Sequence, residues 1–276
     1  MKRKQLAYPF VIWVALFTVI PLCLIFYYAF VELNSTGDYT FTLAYLKKCF
    51  DPLYVKVFAK SIWLALISTV FCLVIGYPAA YILSRLQTQS NIWIMLIVLP
   101  MWMNFLLRTY SWLSLLEKNG ILNNFIGMLG FNFRINILYT EYAVVLGMVY
   151  NFLPFMILPI YTVLKKMDQH IIEAAHDLGA NKIVVFRKVI FPLSLSGVIS
   201  GIAMVFMPAV TTFVVPSILG GNQVRLIGNV IEQQFLQADN WYFGSSLSIV
   251  LMVIILLSMG IITKYEKEEG GVGGLW

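Results

Sequence analysis

The sequence predicts an all-α membrane protein with six transmembrane helices, on three observations. Hydrophobic residues make up 60% of the 276-residue chain and charged residues only 12%, about half the charged share of an ordinary soluble domain. Mean hydropathy is +0.83. The apolar residues gather into six runs, each able to supply the about 20 residues that carry a helix across a hydrocarbon core about 30 Å thick. A helix closes its backbone hydrogen bonds within itself, as a segment in lipid must.

The first span, about 6–31, follows Lys2, Arg3 and Lys4. Its apolar run exceeds a signal peptide's hydrophobic region, and no small-residue cleavage site precedes the polar segment at Glu32, so a retained anchor is expected. The segment from Glu32 to Val55 holds the turn cluster Asn34-Ser35-Thr36-Gly37-Asp38 and is too short to form its own domain. The second span, about 57–84, ends near Arg85, and the third covers about 91–116. At 100° per residue the third places Trp102, Thr109, Tyr110 and Leu113 on one side and Asn104, Arg108 and Ser111 on the other. Only one of these stripes is expected to face a central path. The fourth span is about 142–164 and the fifth about 190–216, where Gly197-x-x-x-Gly201 lets another helix approach closely. Leu226, Ile227, Val230, Ile231 and Phe235 then keep helical spacing, which predicts an amphipathic helix on the outer face. The sixth span, about 244–263, completes one membrane domain over 1–265. The tail 266–276, charged and then Gly-rich, is expected to be flexible. Pro21, Pro78, Pro100, Pro154, Pro159, Pro208 and Pro216 each remove a backbone donor, which predicts bent helices.

Charge sets the expected orientation. With both termini cytoplasmic, the inner segments collect Lys2, Arg3, Lys4, Arg85, Lys165, Lys166, Lys182, Arg187, Lys188, Lys264 and Lys267, the side that positive residues prefer. The outer side still carries Lys47, Lys48, Lys56, Lys60, Lys118, Arg134 and Arg225, so the bias is moderate. The net charge of +6 is scattered among loops and forms no aromatic-interleaved patch, so nucleic acid is not an expected partner.

Machinery for chemistry is not expected either. Cys23, Cys49 and Cys72 are an odd set with no disulfide or metal-site spacing. His170 and His176 fall on different faces of a short helix and have no third ligand. The chain carries no phosphate-cradling G-x-x-x-x-G-K-[ST] loop, no G-x-S-x-G elbow and no H-E-x-x-H. No cofactor or metal is called for, and no catalytic residue. The spans hold no Asp or Glu away from their ends, where a secondary transporter or channel would keep ion or relay sites, and no His that an intramembrane enzyme would use. If the chain does work against a gradient, the energy is expected to enter from another subunit.

The most charged internal segment, 168–189, suggests where. It holds Glu173-Ala174-Ala175-His176-Asp177-Leu178-Gly179, and Pro192 follows the glycine by thirteen residues. Ile171, Ile172, Ala174, Ala175 and Leu178 give a short helix its apolar face, and Glu173, His176 and Asp177 its wet one. Gly179 suits a helix end that needs positive φ, and Lys182 to Lys188 is expected to form a second short helix. This pattern resembles the EAA loop of ABC-importer permeases, although Val189 and Phe191 stand where that family usually has Ile and Leu. The resemblance implies a type I ABC importer permease fold with a cytoplasmic coupling helix. Glu173, Ala174, Ala175, Asp177 and Gly179 would then couple the chain to a separate ATPase.

Further strings narrow the resemblance. Asp51-Pro52-Leu53-Tyr54, Leu99-Pro100-Met101-Trp102-Met103-Asn104 onward to Tyr110, Leu219-Gly220-Gly221-Asn222 and Trp241-Tyr242-Phe243-Gly244 look like the PotB-type permeases of spermidine/putrescine importers, from about Asp51 to Ser248. Tyr242 stands where that group often has proline. The resemblance implies a bacterial inner-membrane assembly. It would hold a PotC-like second permease, two PotA-like ATPases and an extracytoplasmic PotD-like polyamine-binding protein. For a cationic substrate, Trp102 and Tyr110 are the expected path residues, since aromatic faces attract cations by about 0.5–2 kcal/mol, with Arg108 structural. The chain's own path is expected to offer no carboxylate. The alternative substrate classes are an iron chelate, a phosphonate or an opine.

Overall fold

The computed structural model describes residues 8–33, 38–86, 90–130, 133–221 and 223–270. Lys2, Arg3 and Lys4, most of the turn cluster at 34–37 and the end of the tail, 271–276, lie outside the described residues.

The chain opens with α1 (Tyr8–Val14) and α2 (Ile20–Phe30), joined by a π-helical turn over Ala15–Val19. A small antiparallel hairpin follows, β1 (Val31–Leu33) against β2 (Tyr39–Phe41), with Val31 opposite Phe41 and Leu33 opposite Tyr39. It is the one departure from an all-α chain among the described residues. Next come α3 (Ala44–Lys48), α4 (Pro52–Arg85), α5 (Ser90–Trp102), α6 (Phe105–Leu116) and α7 (Ile121–Met128). The chain continues through α8 (Glu141–Lys166), α9 (Gln169–Asp177) and α10 (Lys182–Val185), a π-helical turn over Phe186–Ile190, and α11 (Phe191–Thr211). It closes with α12 (Val214–Leu219), α13 (Ile227–Leu236) and α14 (Trp241–Gly270).

Among the described residues five helices are long and apolar enough to cross a membrane: Pro9–Phe30, Pro52–Arg85, Glu141–Lys166, Lys182–Thr211 and Trp241–Lys264. A further pair, Ile92–Trp102 and Phe105–Met128, passes the same test together but is bent by 93° at its break, as a broken span or a re-entrant loop. The expected continuous third span is therefore corrected. Asn104 leaves the helical region (φ −55°, ψ 131°) and its side chain accepts the Leu106 N–H at 2.8 Å. A side chain that caps the next helix competes with continuation of the last one. Pro78, Pro154, Pro159 and Pro208, by contrast, sit inside helices that remain unbroken.

Further boundaries differ from expectation. The stretch Lys182 to Lys188 is not a separate helix: it forms the first turns of a 30-residue rod running to Thr211. That rod ends at Thr211, five residues short of the expected limit at Pro216, and the next residue, Thr212, has an extended ψ of 138°. Residues 266–270 of the tail continue α14. The expected amphipathic helix after the fifth span is present as α13.

The chain divides into two compact units. The first comprises Met1–Ala59 and Ile227–Leu257. Its aromatic residues do much of the packing: the Tyr45 ring stacks on Tyr242, Tyr54 meets Phe243 edge-on with centroids 4.9 Å apart, and the Tyr45 hydroxyl donates to Glu32 at 3.0 Å. The Ser246 hydroxyl donates to the Ala29 carbonyl at 3.3 Å, tying α14 to α2. The second comprises Lys60–Leu226 and Ser258–Trp276. Its centre is the contact of α8 with α11. A Cβ on Gly197 would lie 3.0 Å from the Pro159 carbonyl oxygen, and one on Gly201 would lie 2.8 Å from the Met156 sulfur. The expected Gly197-x-x-x-Gly201 face is thus where two backbones meet.

Candidate functional site: the α9 coupling segment

The segment between α8 and α11 is built by capping chemistry. Asp168 accepts the His170 N–H at 3.0 Å and starts α9. At the other end Gly179 has φ +80°. The Gly179 N–H donates to the His176 carbonyl at 2.8 Å and the Ala180 N–H to the Ala175 carbonyl at 3.1 Å, the paired bonds of a Schellman turn. The positive φ expected at Gly179 is present, and it satisfies carbonyls that the helix end would otherwise leave without donors. The His176 Nδ1 lies 3.0 Å from the Ala180 carbonyl, closing the same turn. Two residues on, Asn181 accepts the Val184 N–H at 2.9 Å and starts the rod.

Of the expected apolar face, only Ile172 is buried and Ala175 half-buried. Leu178 is 89% exposed, Ile183 69% and Ile171 45%, and Ala174 is exposed beside them. Glu173, His176 and Asp177 are exposed, and Glu173 pairs with His170 at 3.4 Å. Such a surface pair contributes little stability. A short helix that leaves its apolar side chains uncovered, on a backbone capped at both ends, presents a contact surface.

Its connections lead into the membrane helices. Arg85, at the end of α4, donates to Gln169 at 3.2 Å and lies over the Tyr81 ring. Tyr77 and Ser194 share a buried hydrogen bond of 2.8 Å between α4 and α11. Phe186 and Phe191 pack edge or tilt against Tyr77, and Phe186 meets Tyr81. α9 is thus bonded to the end of α4, and α4 to the rod.

The expected path residues fall elsewhere. Trp102 is the last residue of α5 and 78% exposed; Tyr110 lies on α6 and is 51% exposed. The break at Asn104 separates them, so the single stripe drawn through Trp102, Thr109 and Tyr110 does not exist, and Thr109 is fully buried. Arg108 is buried, its guanidinium 5.7 Å from the Phe105 ring centre.

One feature escaped the sequence reading. A cavity of about 1030 Å³ opens beside the start of α8, lined in part by Glu141, Lys60 and several aromatic rings. Glu141 lies one residue outside the expected fourth span, 142–164. Val145 and Val149 keep helical spacing with it. Among the described residues, no group of three or more His, Cys, Asp or Glu side chains is placed to hold a metal.

Comparison with known proteins places the chain. The model of a family described as the inner membrane component of binding-protein-dependent transport systems matches residues 3–267. The spermidine/putrescine transport system permease protein PotB of Haemophilus influenzae is 40% identical over 259 residues, covering 92% of this chain and 91% of that protein. The PotB of Escherichia coli K12 is 38% identical over 251 residues, covering 90% and 91%. Among solved structures, a bacterial ABC transporter involved in alginate import superposes with a TM-score of 0.81 at 14% identity, over 97% of this chain and 96% of that one. The inward-facing MetNI methionine transporter gives a TM-score of 0.58, also at 14% identity, over 78% and 95%. The fold is that of an ABC importer permease.

Proposed function

The chain belongs to the family of inner membrane components of binding-protein-dependent transport systems, and from that membership we propose that it is a permease subunit of an ATP-driven polyamine importer. The observation that carries the substrate class is 38–40% identity to spermidine/putrescine permeases along about nine-tenths of the chain. The membrane domain spans 1–265 and forms half of the translocation path. A PotC-like permease forms the other half, two PotA-like ATPases supply the energy, and a PotD-like extracytoplasmic protein delivers the substrate. The chain itself has no ATPase site. Both termini and α9 face the cytoplasm of a bacterial cell, in keeping with the positive residues at 165–166, 182 and 187–188.

In this reading Glu173, Ala174, Ala175, Asp177 and Gly179 seat α9 in a groove of the ATPase. The exposure of Leu178, Ile171 and Ile183 supports it, because apolar side chains in water gain by being covered. Motion of the ATPase then moves α9 as a body. Arg85–Gln169 and the Tyr77–Ser194 bond carry that motion to α4 and to the rod. Trp102 and Tyr110, now on separate helices, offer aromatic faces along the path.

The test is uptake of labelled spermidine by the assembled importer in proteoliposomes with ATP inside. Unlabelled putrescine is expected to compete, and phosphonates, opines and ferric chelates are not. Competition by one of those solutes without competition by polyamines overturns the substrate class.

A further inference from the structure

The cavity beside α8 lies within the second unit, at the end of that helix opposite α9. Twenty-six residues separate the two ends, about 39 Å of helix. Its α4 wall is drawn from Lys60, Trp63 and Phe71, and its α8 wall from Glu141, Tyr142 and Tyr150. Trp112 of α6 also faces it and meets Tyr150 edge-on, with centroids 5.3 Å apart. Ligand cavities of this size, mostly apolar with a few convergent polar groups, are the usual form of a small-molecule site.

The arrangement already holds an alkylammonium. The Lys60 Nζ lies 2.7 Å from a Glu141 carboxylate oxygen, and both side chains remain partly exposed. A lysine side chain is a primary ammonium on a four-carbon stem, the same chemistry as one end of an aliphatic diamine. The geometry points to this cavity as a transit site for linear aliphatic polyamines. Glu141 is the counter-ion, Trp63, Trp112, Tyr142 and Tyr150 are the aromatic walls, and Lys60 is a tethered competitor. An incoming ammonium replaces Lys60 on Glu141, while the methylene chain and remaining ammonium groups lie against rings whose faces attract cations. When the polyamine moves on, Lys60 pairs again with Glu141. A site that binds through exchange of one cation for another is occupied only briefly, as conduction along a path demands.

This inference rests on the polyamine reading, and the experiment separates the two. The assembled importer is placed in nanodiscs for equilibrium binding of labelled spermidine without the binding protein, and in proteoliposomes for ATP-driven uptake. The wild type is expected to bind spermidine saturably. Glu141→Gln is expected to weaken binding tenfold or more and to slow uptake similarly. Glu141→Asp recovers part of the loss. Lys60→Gln, which removes the competitor, tightens binding and slows release. Trp112→Leu weakens binding less than Glu141→Gln does. If the wild type moves polyamines but Glu141→Gln and Trp112→Leu bind and transport as it does, the cavity assignment falls and the polyamine reading stands. If the wild type moves no polyamine, the substrate reading falls and takes this inference with it.

Discussion

At Gly179 a single backbone angle decides the geometry of the coupling segment. The φ of +80° is costly for a residue with a Cβ, about 1–2 kcal/mol, yet no heavy atom lies within 4 Å of where that Cβ would stand. Substitution there is therefore a matter of conformation and not of space. Gly179→Val is expected to cut uptake tenfold or more with normal membrane insertion, whereas Gly179→Asn, which reaches this region more readily, keeps most of it. Uptake at matched expression checks both, and normal transport by the valine variant would sink the role assigned to the turn. The glycine was readable in the sequence because the apolar pattern stops at Leu178 and a short polar segment follows. The burial of Arg108 was not readable, since a helical wheel gives direction and says nothing about which neighbour fills the space.

Among the elements, the third and fifth spans diverged most from expectation. Hydropathy averages over a window and cannot register a single residue that leaves the helix. Asn104 stands where an N-cap residue belongs, one position before Phe105, and that signal outweighs the apolar character on either side. The start of the fifth span was read late because Arg187 and Lys188 look like loop residues, although their place within a continuous rod leaves them exposed at its first turns. The small-residue face on that rod was legible, and its partner was not. Gly197 meets the backbone of α8 at Pro159 and Ile160, which cannot move aside as a side-chain tip can. Gly197→Leu is expected to destabilise the protein by about 1–3 kcal/mol through overpacking, seen as a lower unfolding temperature of the purified protein in detergent. Gly127→Leu, where open space surrounds the added Cβ, is the control and does not lower that temperature, since leucine also favours the helix more than glycine does.

For the whole molecule, transport is expected to need subunits that supply what this chain lacks. Purified alone in liposomes, it is expected neither to hydrolyse ATP nor to accumulate spermidine, and adding the second permease, the ATPases and the binding protein brings both activities. Gradient-driven accumulation by the chain alone would make it a secondary transporter. The sequence by itself determined the class, the apolar runs able to cross a membrane and the position of the short helix α9. Those follow from composition, from the about 20 residues a crossing needs and from local capping, all properties of neighbouring residues. Tertiary structure alone brought Glu141 to Lys60, 81 positions apart, and gathered rings from α4, α6 and α8 around them. It likewise joined Tyr77 to Ser194 across 117 positions. Such pairs depend on which helices pack together and at what depth, and hydrophobic periodicity along one helix contains neither.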